Sequence, residues 1–170
     1  GGVGLVGTVY GRTPTPATRF QVIAVRRVGH GRPASAMDRA FHDHDMAEDT
    51  VELLRRLDIE NAAIVGFSDG GIIGLDIAIH HPDRVTKLVV SGANVRTDGY
   101  TEENLAWIHT FKPEDEPVSD AYARLSPNGA AHWPTFLERL RPMWAAEPAF
   151  TPAQIGGIKA PTLIIVGDRD

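Results

Sequence analysis

Between the apolar run Ala62-Ala63-Ile64-Val65 and a second one spanning Ile72 to Ile79 stands the pentapeptide Gly66-Phe67-Ser68-Asp69-Gly70. The first run, closed by glycine, reads as a short buried strand. The second carries Ile72, Ile73, Leu75, Ile77 and Ile79, apolar on nearly every side, as in a helix packed beneath other elements. The pentapeptide must therefore turn the chain sharply from strand to helix. A serine on such a turn is held in a strained conformation with its hydroxyl raised above the sheet. Gly66 and Gly70 leave room where the helix folds back across the strand, and Gly71 and Gly74 extend that close approach. Ser68 stands just ahead of a helix N-terminus, whose free N–H groups and positive dipole end favour a developing oxyanion. The backbone N–H of Asp69 is the expected donor.

The rest of the chain supplies a setting for this turn. Phe20–Val25 reads as a buried strand ended by Gly29-His30-Gly31-Arg32-Pro33. Asp43 or Asp45 is placed to cap a helix starting near Met46, with Met46, Thr50, Leu53, Leu54 and Leu57 on one face. His80-His81-Pro82 stops the helix after Ser68. Lys87–Val90 and Pro161–Val166 read as two more strands. Continuous apolar strands separated by helices indicate a parallel sheet covered on both faces. From Asn94 to Lys159 the pattern changes to two helical stretches, near 102–111 and 133–146, with no strand. Trp107, Trp133, Phe136, Met143, Trp144 and Phe150 serve there to pack an insertion onto the core, and one or two of them suit an apolar pocket wall. The chain thus divides into residues 1–93 (core), 94–159 (helical insertion) and 160–170 (a further core strand).

Composition narrows the chemistry. A net charge of −5 gives no reason to expect nucleic acid or an anionic membrane as partner. The sequence has no cysteine, which excludes disulfides, thiolate metal sites and a cysteine nucleophile. No apolar run reaches the roughly 18 residues of a spanning helix. A cytoplasmic location is the default expectation, with the chain starting at Gly1.

The segments MAEDT, GFSDGG, HHPDRVTKLVVSGAN and APTLIIVGDRD resemble bacterial α/β-hydrolases of the esterase and haloperoxidase-like type, over most of the chain from Phe20 onward. The resemblance implies an α/β-hydrolase fold, a Ser-Asp-His triad, and a cap formed by residues 94–159. It places the acid in Gly167-Asp168-Arg169-Asp170, with Asp170 the better match and Asp168 second. It also implies that the histidine follows the acid in chain order. The histidine is therefore expected beyond Asp170, with a chain truncated at both ends and nearly inactive by itself. The missing elements would leave sheet edge and apolar surface uncovered. Gly1-Gly2 is a weak match to the end of the family's first oxyanion loop, with Gly2 as a second N–H. Arg26-Arg27-Val28 before Gly29-His30-Gly31 departs from the family's usual aspartate and arginine.

The expected activity is hydrolysis of a small carboxylic ester, with no cofactor and no metal. The alternative is a catalytically incomplete fragment or a ligand-binding protein on the same fold. Gly2-Val3-Gly4-Leu5-Val6-Gly7 with Arg26 and Arg27 matches an NADP-binding pattern in letters, but no strand precedes it and Gly11, Pro14 and Pro16 break the helix it needs. His42-Asp43-His44-Asp45 suggests a metal-dependent hydrolase, yet Met46 and Ala47 stand where the binuclear pattern needs Asp and His. The Asp69 side chain has three readings: receptor for a cationic substrate group, partner of the helix dipole, or partner in a salt bridge. The last two are preferred.

Overall fold

The computed structural model describes residues 17–25, 40–110, 112 and 129–167. The chain divides into two compact units, one of residues 1–2, 41–110 and 140–170, the other of residues 3–40 and 111–139. Among the described residues, no helix is long and apolar enough to cross a membrane.

The larger unit is built on three parallel strands in the order β1 (Ala62–Phe67), β2 (Val85–Ser91) and β3 (Thr162–Ile165). Helix α1 (Asp43–Arg56) precedes β1, and α2 (Asp69–His80) joins β1 to β2. Helices α3 (Glu102–Thr110), α4 (Trp133–Ala146) and the short α5 (Pro152–Gly156) lie between β2 and β3. Both long helical stretches expected from the sequence are present. An isolated antiparallel bridge, Arg96 to Ala149, accompanies them.

Helix α2 packs on β1 and β2, and α1 packs on α2. The α2 contact is unusually close because of its glycines. A Cβ on Gly74 would stand 3.0 Å from Leu88 Cδ1 and 3.2 Å from Ile64 Cγ2, so the helix lies directly on these two strand side chains. Nearly all of α2 is buried, in keeping with its all-round apolar sequence. Its C-terminus is closed by the His81 N–H donating to Ile77 O at 2.7 Å, just before Pro82.

Three expectations are corrected. Residues 21–25 form no strand, and Phe20 is 70% exposed. An apolar run signals a wish for burial, whereas a strand exists only where its backbone groups find a ladder partner. The sheet is not covered on both faces by the described residues: Val65 is 78% and Phe67 65% exposed, and all of β3 is exposed. Neither Asp43 nor Asp45 caps α1. The helix starts at Asp43, with His42 as N-cap and no side-chain cap bond, so both aspartates fall in its first turn, where the dipole favours them. The capping acceptor comes instead from Glu147, which takes the Asp43 N–H at 2.8 Å and pairs with His42 Nδ1 at 2.5 Å.

Candidate active site at the strand-to-helix turn

Phe67 ends β1 and Asp69 begins α2, leaving Ser68 alone in the turn. Its backbone sits at φ 53° and ψ −129°, a left-handed conformation that an L-residue adopts at a cost of about 1–3 kcal/mol. The turn is held on both sides. The Ser68 N–H donates to Ser91 O at 2.9 Å, and Ser68 O accepts the N–H groups of Gly71 at 2.7 Å and Ile72 at 3.2 Å. Gly66 is required by contact: a Cβ there would stand 2.1 Å from Gly70 O and 2.5 Å from Gly71 N. On Gly71 a Cβ would meet Ala93 Cβ at 2.8 Å. These are the close approaches that the glycine spacing predicted.

Asp69 is the first residue of α2, so its N–H is one of the donors that helix geometry leaves without an i−4 acceptor. Its side chain is 6% exposed and accepts a hydrogen bond from Trp144 Nε1 at 3.0 Å. A neutral indole therefore bonds this carboxylate, which lies in the first turn of α2, where the dipole favours it. Trp107 lies against Trp144 with ring centroids 6.1 Å apart, and α4 is tied to α3 by Arg141 Nη1 donating to His109 O at 2.6 Å. Burial, and then the Asp69 charge, push the Tyr100 phenol above its ordinary value, against a hydrogen bond with the Asn94 side chain. Trp144 thus stands beside the residue that follows Ser68, with Trp107 against it. Of the six large side chains expected to pack the insertion, Trp133, Phe136, Met143, Trp144 and Phe150 are buried and Trp107 is half exposed.

Two predictions arise here. Trp144→Phe keeps an aromatic ring, though a smaller one, and leaves the buried Asp69 oxygen without its donor. Chemical denaturation should show a loss of about 1–3 kcal/mol, and a loss under about 0.5 kcal/mol would mean that the bond contributes little. Tyr100 should ionise above the ordinary tyrosine range. Its folded value lies above the unfolded one of 10.0. The neutral phenol's contribution is therefore present below pH 10 and lost as pH rises through the folded value. In an ultraviolet titration, Tyr100→Phe should remove a step lying above pH 10, and Asp69→Asn should move that step down.

The register lines up Phe67, Ser91 and Ile165 at the carboxyl ends of β1, β2 and β3. With strands about 4.8 Å apart, the exit of β3 lies about 10 Å from that of β1, on the same edge of the sheet. The Gly92 N–H donates to Ile165 O at 3.0 Å and holds that edge together. Asp168 and Asp170, the two acid candidates, lie outside the described residues, as do Gly2, Arg26, Arg27 and His30. Of the five described histidines of the larger unit, four, all but His109, have other engagements. His42 pairs with Glu147, His44 and His80 with Asp76, and His81 with Glu48.

A strained serine between a parallel strand and a buried helix, at the carboxyl edge of the sheet, agrees with the family comparison. The model of the alpha/beta hydrolase fold matches residues 10–115. The chain belongs to the alpha/beta hydrolase family. Its relatives include the protein named "Putative carbamate hydrolase RutD" in two bacteria. Identity to the Caulobacter sp. (strain K31) protein is 38% over 81 residues, covering 48% of this chain and 30% of that one. Identity to the Variovorax paradoxus (strain S110) protein is 27% over 169 residues, covering 88% of this chain and 64% of that one. The chain thus spans less than two thirds of the length of both. Among solved structures of the alpha/beta hydrolase fold, NosK from Streptomyces actuosus superposes with a TM-score of 0.73 at 21% identity, over 98% of this chain and 73% of NosK.

Sequence reasoning missed two features of the larger unit. One is the Trp144 bond to Asp69, between residues 75 apart in sequence. The other is a cluster of His44, Asp76 and His80. The spacing Asp76-x-x-x-His80, one turn on a helix, is a readable signal for half of that cluster. His44, from another helix, has no such signal.

Proposed function

We propose that the protein is a serine hydrolase acting on a small carboxylic ester. The observation that carries this reading is Ser68 in its left-handed turn at the head of α2. Ser68 Oγ attacks the substrate carbonyl carbon, and the Asp69 N–H receives the oxyanion as the carbonyl opens. The alcohol leaves, an acyl-serine remains, and water releases the acid. The proton is handled by a histidine after Asp170 in chain order, as the family resemblance implies. Asp170 orients that histidine and stabilises its imidazolium. The exit of β3 on the same sheet edge as Ser68 supports this assignment. The Trp144 side chain beside Asp69 favours an apolar acyl group in this reading.

A carbamate is the second reading, favoured by the name of the two RutD relatives. Its carbonyl is open to the same serine attack and differs in the nitrogen it carries. The test is steady-state hydrolysis of paired p-nitrophenyl esters and carbamates by the full-length protein. The ester reading expects kcat/KM at least about tenfold higher on the ester, a difference of about 1.4 kcal/mol in transition-state binding. Preference for the carbamate replaces the ester reading. Turnover of neither class that depends on Ser68 supports a non-catalytic, ligand-binding protein.

A further inference from the structure

Asp76 lies on α2 with its side chain only 5% exposed. Buried carboxylates require compensation, and this one has two imidazoles. His44 Nδ1, from the first turn of α1, stands 2.9 Å from Asp76 Oδ1. His80 Nδ1, one helical turn after Asp76, stands 3.1 Å from the same oxygen. The two rings meet edge to face with centroids 4.8 Å apart. One donor atom from each of the three residues lies within 4.8 Å of the others.

We propose that His44, Asp76 and His80 form a binding site for a first-row divalent cation of the zinc type, clamping α1 to α2. Two imidazoles and one carboxylate are a ligand set that such cations take readily. In a tetrahedral centre with bonds of 2.0–2.1 Å, donor atoms stand about 3.3 Å apart. To admit a cation, the two hydrogen-bond distances to Asp76 Oδ1 need to open by a few tenths of an ångström, and the two imidazole donors, within 4.8 Å, need to settle about 3.3 Å apart. The carboxylate is fixed by burial, while both imidazoles are partly exposed, His80 Nδ1 standing also 3.1 Å from the Asp76 backbone O. On its outer side, His44 Nε2 stands 3.9 Å from Glu48 Oε1, the direction in which a metal-bound imidazole usually meets a carboxylate. The three residues line a cavity of about 240 Å³ that Asp43 and Glu147 also line, with room for further water ligands.

The site is separate from the turn at Ser68. Along α2, Asp76 lies about 12 Å and His80 about 18 Å from Ser68, at 1.5 Å rise per residue. A cation here holds two helices rather than polarising a substrate. It is distinct, too, from the His42-Asp43-His44-Asp45 reading of the sequence, with which it shares only His44.

The test is titration of the metal-stripped full-length protein with Zn²⁺ and, separately, with Co²⁺. One Zn²⁺ should bind per chain and raise the melting temperature, since a ligand of the folded state stabilises it. His44→Gln and His80→Gln keep amide groups able to bond Asp76, and each should weaken binding at least about tenfold. His109→Gln, on another helix, should leave it unchanged. The Co²⁺ complex should show visible bands, and X-ray absorption of the Zn²⁺ form should count two imidazoles, which needs no variant. Absence of stoichiometric binding, or unaltered affinity in both His44→Gln and His80→Gln, would overturn the proposal. So would an absorption spectrum without imidazole ligands.

Discussion

Gly66→Ala is expected to destabilise the chain by more than about 3 kcal/mol, toward the severe end for a single methyl group. The new Cβ would lie 2.1 Å from Gly70 O, 2.4 Å from Gly70 C and 2.5 Å from Gly71 N. All three are backbone atoms, so no rotamer change relieves the overlap. Either α2 moves off β1, which also lifts Gly74 from Leu88 and Ile64, or the turn at Ser68 opens. Each route breaks the contact on which the larger unit is built. Domains of this kind are stable by only about 5–15 kcal/mol, so much of the folded population is at risk. Gly99→Ala is the control, because nothing lies within 4 Å of a Cβ there. It should change stability by less than about 0.5 kcal/mol. Urea denaturation of the three proteins checks both values, and a Gly66→Ala effect as small as the control's would show that the close approach is wrong.

The second large effect is on activity. On the proposed function, Ser68→Ala in the full-length protein should lower kcat by about 10⁴-fold or more, since a triad without its nucleophile would retain only binding and oxyanion stabilisation. Stability should not fall with it. Ser68 is one of two non-glycine residues with positive φ among the described residues, the other being Asp58. A left-handed serine is strained, and the hydrogen bonds holding it are made by its backbone, which any residue supplies. Ser68→Gly should therefore gain about 1 kcal/mol while abolishing turnover. Gain of stability with loss of activity is what a site that stores strain for function produces. Loss of both would assign Ser68 a structural role.

The turn was readable from sequence because every part of its signal is local. Four apolar residues, a glycine at each contact and an all-round apolar helix fall within 18 residues, from Ala62 to Ile79. Each has one physical reading. The strands after it were equally plain, since parallel strands are apolar throughout. Phe20–Val25 carried the same composition without becoming a strand, because ladder pairing depends on a neighbour that composition does not describe. The α1 start was misplaced for a related reason. The pattern Asp43-x-Asp45 suggests a local cap, but the acceptor is Glu147, more than 100 residues away in sequence. The Asp69 bond to Trp144 likewise joins residues 75 apart in sequence. Short-range chemistry was legible here; the partners supplied by folding were not.

The central claim is that Ser68 occupies the nucleophile position of this fold. Reaction of the full-length protein with a fluorophosphonate, followed by peptide mass spectrometry, tests it most directly. The account predicts one covalent adduct per chain, on Ser68, absent from Ser68→Ala and lost when the protein is unfolded before reaction. An unlabelled Ser68 in folded protein, or an adduct that survives Ser68→Ala, would contradict it.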